Sequence, residues 1–185
     1  MKLLTHLWIH CTATKQGIDY SDETILKWFK DRGWKHPGYH DIIHLDGRLS
    51  NLLPYDFDNF VSPKEIANGI KGFNSNARHI SYVGGVNRFD HRLPEDTRTK
   101  PQRACMYEYC MQMIRRYPDI KIGGHNQVSV KACPSFDVTE WACRLAIPER
   151  NINYDYLVPH SFTHSSKYVG EDQVDLFDFN IYDGN

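Results

Sequence analysis

Ten histidines and five cysteines in 185 residues give this chain a large supply of metal ligands and proton-transfer groups. Three short runs place some of them where chemistry can occur. The first is Ile9-His10-Cys11-Thr12-Ala13-Thr14, the second Gly38-Tyr39-His40, and the third Gly123-Gly124-His125 followed by Lys131-Ala132-Cys133-Pro134-Ser135-Phe136-Asp137. Each adjoins an apolar run that reads as a strand, and polar groups at strand ends point out of a sheet rather than into its core. Two imidazoles and one thiolate make a sensible set for a borderline-soft ion such as zinc. Three protein ligands would leave a fourth position open, as in catalytic rather than structural zinc sites. His10, His125 and Cys133 form one such triple, but a chain with this many His and Cys offers others. On residue types alone, His10 is as well explained as a hydrogen-bonded core histidine, Tyr39 as a half-buried strand aromatic, and Lys131 as a solvated lysine.

The elements that must position these groups follow from periodicity and punctuation. Leu3–His10 reads as a buried strand. Ser21 is an N-cap with Asp22 and Glu23 in the first turn, and Ile25, Trp28, Phe29 and Arg32 share a helical face that Gly33 ends. His40–Leu45 reads as a strand turning at Asp46-Gly47 into Arg48–Asn51. Ile80–Gly85 is another apolar strand, and residues 86–100 are polar and read as a surface loop. Pro101 opens a helix in which Met106, Cys110, Met113, Ile114 and Tyr117 fall on one core-facing stripe, and Pro118 ends it. Ile120–Ile122 precedes the Gly-Gly-His run, and a last helix spans about 139–146, capped by Asp137 or Thr139. Strands interleaved with helices, with one hairpin among the crossovers, predict an α/β domain: a central mixed sheet flanked by about three helices.

Several neighbouring groups have simpler roles. Adjacent strand residues face opposite ways, so Cys11 belongs to the core and not to a metal. His36, His40 and His44 straddle Pro37-Gly38 and a strand. Within the strand, His40 and His44 would be about 13 Å apart, too far for one ion, so they read as structural or groove residues. Cys105, Cys110 and Cys143 fall on helices and read as packed thiols.

The runs, taken in order, resemble the zinc-dependent N-acetylmuramoyl-L-alanine amidase family, which includes phage amidase lysozymes and peptidoglycan-recognition proteins. The resemblance is carried by His10-Cys11-Thr12-Ala13-Thr14, Trp34, Gly38-Tyr39-His40-Asp41-Ile42-Ile43, Asp46-Gly47, Gly72-Phe73-Asn74, His125, and Lys131 through Asp137. It extends from about residue 4 to 146 and is closest to the small phage lysozymes. It implies one zinc per chain held by His10, His125 and Cys133, with Tyr39 beside the metal water and Lys131 facing the substrate carbonyl. It also implies substrate contacts around Gly72 and Asn74, and hydrolysis of the amide between N-acetylmuramic acid and L-alanine in bacterial peptidoglycan. A phage or prophage endolysin is the corresponding expectation. One departure stands out: related phage enzymes tend to carry a His where this chain has Gly69. Two other functions fit the same resemblance. One is a non-catalytic peptidoglycan-binding module, although such members commonly lack the cysteine that Cys133 supplies. The other is a phage regulatory protein that binds RNA polymerase.

Composition bounds the rest. At 41% hydrophobic and 13% aromatic residues the chain can fill a core, which excludes wholesale disorder. The formal net charge of −1 argues against a nucleic-acid binder, but it conceals an asymmetry. Residues 151–185 carry six acidic and one basic residue, a net of −5, leaving +4 on residues 1–150. The expected organisation is an amidase domain over 1–150 and an acidic, aromatic extension over 151–185, a candidate contact for a protein partner. An odd cysteine count fits one metal thiolate and four packed thiols better than a disulfide framework. No apolar run is long enough to span a membrane, and the start reads as a strand rather than a signal peptide. The expectation is a monomer made in the cytoplasm and acting on the cell wall after release.

Overall fold

The computed structural model describes residues 1–158. Its centre is a five-stranded sheet built from β1 (His6–Cys11), β2 (Asp41–Ile43), β3 (Leu49–Asn51), β4 (Ala77–Tyr82) and β5 (Lys121–Gly124), in the order β3-β2-β4-β1-β5. The pairs β2–β4, β4–β1 and β1–β5 are parallel, and only the β2–β3 hairpin is antiparallel. The mixed sheet is thus the expected one. Two-residue pairs, Lys2–Leu3 with Phe60–Val61 and Thr14–Lys15 with Gly85–Val86, form two separate small sheets.

Three helices cover the sheet: α1 (Asp22–Asp31), α2 (Lys100–Arg116) and α3 (Val138–Arg144). Each starts where a side chain satisfies an orphan amide. Ser21 Oγ accepts from Thr24 N, Asp137 Oδ1 accepts from Glu140 N, and Thr99 and Gln102 form a reciprocal capping box. The N-cap of α3 is therefore Asp137, and α2 begins one residue before Pro101. Gln102 does more than cap. Its buried amide also donates to the carbonyls of Ile43 and Val83, pinning the start of α2 to the ends of β2 and β4.

Alternation along the strands divides the core. Leu7, Ile9 and Cys11 of β1 join Ile80 and Tyr82 of β4 and Ile122 of β5 on one face. There they meet Met106, Cys110, Met113 and Ile114 of α2, and Trp141 and Ala142 of α3. On the other face Ile42 packs with Ile25 and Phe29 of α1, while Trp8 packs with Ile70 and Ala77. His10 lies on this second face. The site is therefore built under α1 and the 66–74 segment, away from α2.

Strand β4 begins at Ala77 rather than Ile80, and all six of its residues are buried. Among the thiols expected to pack, Cys110 is buried and Cys105 partly so, but Cys143 is exposed, with its Sγ 3.6 Å from the Tyr154 hydroxyl. Residue 143 lies on the outer side of a seven-residue helix whose buried side is Val138, Trp141 and Ala142. Past residue 150 the chain remains attached to the body. Ile152 bridges Ile122 in parallel, Asn153 N donates to Ile122 O, and the Tyr156 hydroxyl reaches Asp137. Of the tail residues, 159–185 lie outside those described, including most of the aromatics and five of the six acidic groups.

Candidate metal centre and its groove

His10 is the fifth residue of β1 and is almost wholly buried. His125 follows β5 directly and opens a one-turn 3-10 helix, His125–Gln127. That turn is fixed by its own side chains. Gln127 Oε1 accepts from Gly124 N and its amide donates to Asn153 O, while the Asn126 amide donates to Phe136 O. Cys133 comes from the following loop, held at Pro134 O by the Tyr82 hydroxyl and at Ser135 by a hydrogen bond from its Oγ to Gly85 O. Ser135 (φ 72°) and Ala13 (φ 54°) both hold left-handed backbone beside the site, a conformation that costs a non-glycine residue about 1–3 kcal/mol and persists where surroundings enforce it. Gly85 (φ 101°), whose carbonyl takes that Ser135 bond, lies close against β1. A Cβ there would lie 2.4 Å from Cys11 Sγ.

These elements bring three donors together. One ligand atom from each of His10, His125 and Cys133 lies within 4.8 Å of the others, the one such His/Cys/Asp/Glu group among the described residues. His10 Nδ1 is 3.6 Å from Cys133 Sγ. Adjacent corners of a tetrahedron with zinc-like bond lengths are about 3.5 Å apart. Two imidazoles and a thiol therefore suit a borderline-soft divalent ion in both chemistry and spacing. Cys11 contributes its backbone amide to the Cys133 sulfur (3.3 Å) while its own thiol faces the core, as strand alternation predicts.

Burial sets the protonation of the donors. It holds His10 well below the ordinary imidazole range, with the neighbouring His125, His79 and Lys131 charges adding to the effect. Burial and then Lys131 lower His125 to about 4. Both rings are therefore neutral at pH 7, the form that ligates. Burial, then a hydrogen bond with Cys11, raises the Cys133 thiol well above its usual value, so a metal entering here must displace its proton.

The donors lie in a cavity of about 310 Å³ whose lining includes Tyr39, Lys131, Trp28, Trp34, Arg32 and Asn68. The Tyr39 hydroxyl donates to Cys11 O at 3.2 Å, and its ring is 5.2 Å from that of His10. Burial and the two nearby cysteines push its phenol far above the ordinary value, so it remains a donor. Lys131 is exposed at the rim. Five expected site residues therefore converge: His10, Tyr39, His125, Lys131 and Cys133. Gly72 and Asn74 are not among the residues lining this cavity. They sit in the adjoining turn, where Gly72 has φ 90° and Asn74 Oδ1 accepts from Ile70 N.

Three further histidines are accounted for by hydrogen bonds. His36 meets Ile66 O, His40 meets Glu65 O, and His44 is flanked by Asp19 and Asp22. Trp28, read from sequence as part of a packing face, packs on the α1 cluster and also lines the cavity. Arg32, read on the same face, is exposed and lines the cavity, and its charge on an otherwise apolar stripe was the available signal. His79 had no signal at all. It hydrogen-bonds His10 from β4, a contact that exists only once the β1–β4 register is known.

Comparison with known proteins gives related chains and a shared fold. No family model matches the chain. The endolysin of Enterobacteria phage K11 is 31% identical over 137 residues, covering 74% of this chain and 84% of that protein. Two solved structures share the fold. The Ph2119 endolysin from Thermus scotoductus MAT2119 bacteriophage Ph2119 superposes with a TM-score of 0.59 at 24% identity, covering 83% of this chain and 87% of its own. The N-acetylmuramoyl-L-alanine amidase LysC from Clostridium intestinale URNW gives 0.60 at 21%, covering 78% and 86%.

Proposed function

The chain belongs to the phage endolysin family of the amidase and peptidoglycan-recognition type, and from that premise we propose that it is a zinc-dependent N-acetylmuramoyl-L-alanine amidase. Its substrate is bacterial peptidoglycan, and the bond cut is the amide between the lactyl group of N-acetylmuramic acid and L-alanine. The observation that carries this reading is the convergence of His10, His125 and Cys133 at the floor of a groove rimmed by Lys131 and Tyr39.

His10, His125 and Cys133 would hold the zinc. When bound, zinc supplies Lewis acidity, which activates water and polarises the scissile carbonyl. Lys131 is placed to donate from Nζ to the carbonyl oxygen as it gains negative charge, a contribution of about 3 kcal/mol for one such donor in comparable sites. Tyr39 keeps its proton on Oη; turned from Cys11 O, that hydroxyl orients the attacking water or the departing amine. Water adds to the carbonyl carbon, the C–N bond breaks, and the L-alanine nitrogen leaves with a proton. Trp28 and Trp34 offer apolar walls, and Arg32 a cation, to the sugar and stem peptide. Gly72 and Asn74 serve the substrate through the turn that carries Asn68 and Gly69 to the rim. The chemistry is assigned to residues 1–150, with the acidic extension as a separate piece; the partner role considered for that extension falls mainly on residues 159–185. Action on the wall follows release from the cell that makes it.

The test is the product. Zinc-loaded protein incubated with purified peptidoglycan should liberate L-alanine amino termini without new reducing sugar ends, and His125→Ala should liberate neither. Reducing ends alone would indicate a glycosidase. Binding to peptidoglycan with no release would instead support the non-catalytic module.

A further inference from the structure

One buried group at the site has no part in the chemistry above. His79 pairs with Trp8 in the β1–β4 register, so its side chain shares the face of Trp8 and His10. It is fully buried, and its Nδ1 lies 3.0 Å from His10 Nε2. The opposite nitrogen of His10, Nδ1, faces Cys133 Sγ. The two contacts bear on where the protons sit once a metal is held; in that arrangement the proton of His79 is on its own Nε2, which has no hydrogen-bond partner among the described residues. A neutral imidazole carries one N–H. For Nδ1 to offer its lone pair to a metal, the proton must be on Nε2, and a buried N–H there needs an acceptor. The acceptor present is His79 Nδ1.

The position of His79 is itself fixed. Its backbone N–H donates to His40 Nδ1 at 3.0 Å, and its carbonyl accepts from His40 N at 2.9 Å. The two rings stack with centroids 5.8 Å apart. From the groove side the ring fills the space over Gly69. A Cβ on residue 69 would lie 2.3 Å from His79 Nδ1 and 2.7 Å from its Cε1. The nearest atom is the accepting nitrogen, so any side chain at 69 would push the acceptor off His10.

We infer that His79 is a positioning residue for metal binding: its Nδ1 fixes His10 in the tautomer that ligates through Nδ1, and Gly69 is the gap that admits it. The inference rests on His10 being a zinc ligand, as proposed above. Outer partners of metal-bound imidazoles are usually carboxylates, carbonyls or water, and losing one typically costs 10–100-fold in affinity. An imidazole acceptor should act through the same bond.

Zinc affinity, measured by competition with a chromogenic chelator on the full chain, tests this without reference to turnover. His79→Leu keeps an apolar bulk and removes the acceptor, and should weaken binding by about 10–100-fold. His79→Asn places an amide oxygen near the Nδ1 position and should stay within a few-fold of wild type. Gly69→Ala leaves both histidines in the chain and should reproduce the His79→Leu loss. The thermal midpoint of each metal-free protein separates unfolding from weakened binding, and if His79→Leu does not fold, Gly69→Ala against wild type decides. Wild-type affinity in both His79→Leu and Gly69→Ala would overturn the inference, as would equal losses in His79→Asn and His79→Leu. A wild-type chain that binds no zinc overturns the ligand assignment itself, and is thereby distinguished from failure of the His79 role alone.

Discussion

Lys131 and Cys133 are two residues apart yet are proposed to act in different ways, and single substitutions should separate them. Lys131 is exposed at the rim and makes no contribution to the donor set. Lys131→Ala should therefore lower kcat by about 10²–10³-fold while zinc stoichiometry stays at one per chain. A parallel loss of zinc would assign Lys131 to folding of the loop instead. Cys133→Ser should give the converse, loss of metal first and of turnover as its consequence. At this scale the site was partly legible. The grouping of His10, His125 and Cys133, and the place of Tyr39 beside them, was implied by the resemblance of the runs that carry them, since residue types and spacing alone left other triples open. His79 could not be read, since a lone histidine inside a strand says nothing until its cross-strand neighbour is known. Nor could the placement of Asn74, whose carbonyl is consumed by its own turn at Ile70 N.

At the scale of elements, the joints with most at stake are the helix starts. Thr99→Ala breaks the cap of α2 and should cost about 1 kcal/mol. Gln102→Ala should cost more, about 1–3 kcal/mol, because it also removes the side-chain donor to the buried Val83 carbonyl and one of the two donors to Ile43 O, which keeps the Val83 amide. Urea denaturation of the two variants checks the order, and a smaller loss for Gln102→Ala would mean water replaces its amide. The same helices were easily read, since their caps and prolines are local signals. Strand β4 was read short for the opposite reason. Arg78 and His79 break its apolar run, yet both are fully buried, Arg78 with its guanidinium 4.4 Å over the Tyr55 ring and His79 against His10. A buried strand that carries polar groups for its neighbours looks, in one dimension, like the end of a strand.

Across the whole molecule, the buried histidines make stability depend on acid. Burial lowers His40 to about 3 and His125 to about 4, and holds His10 and His79 well below the ordinary value of 6.5. The folded-state values lie below the unfolded ones, so on acidification the unfolded chain takes up protons that the native state refuses. Stability from these groups is complete above about pH 6.5 and declines as pH falls towards 4. The urea midpoint of the metal-free protein should accordingly drop between pH 7.5 and 5.0, and a flat profile would show that the native state charges these rings at no cost. The charge reading at this scale also gains detail. The +4 of residues 1–150 includes the groove cations Arg32 and Lys131, which suits an anionic wall polymer.

The strand-like contact of Ile152 with Ile122 bears on how the protein behaves at high concentration. β5 ends the sheet on that side, and an unpaired strand edge is a template for joining another chain. The chain's own continuation occupies part of that edge, with Asn153 N bonded to Ile122 O; the opposite border, β3, is only three residues long. A protein ending at residue 150 should therefore self-associate, eluting earlier from a sizing column as its concentration rises, while one ending at 158 should not. If both elute alike, the edge of β5 is protected by something other than this strap.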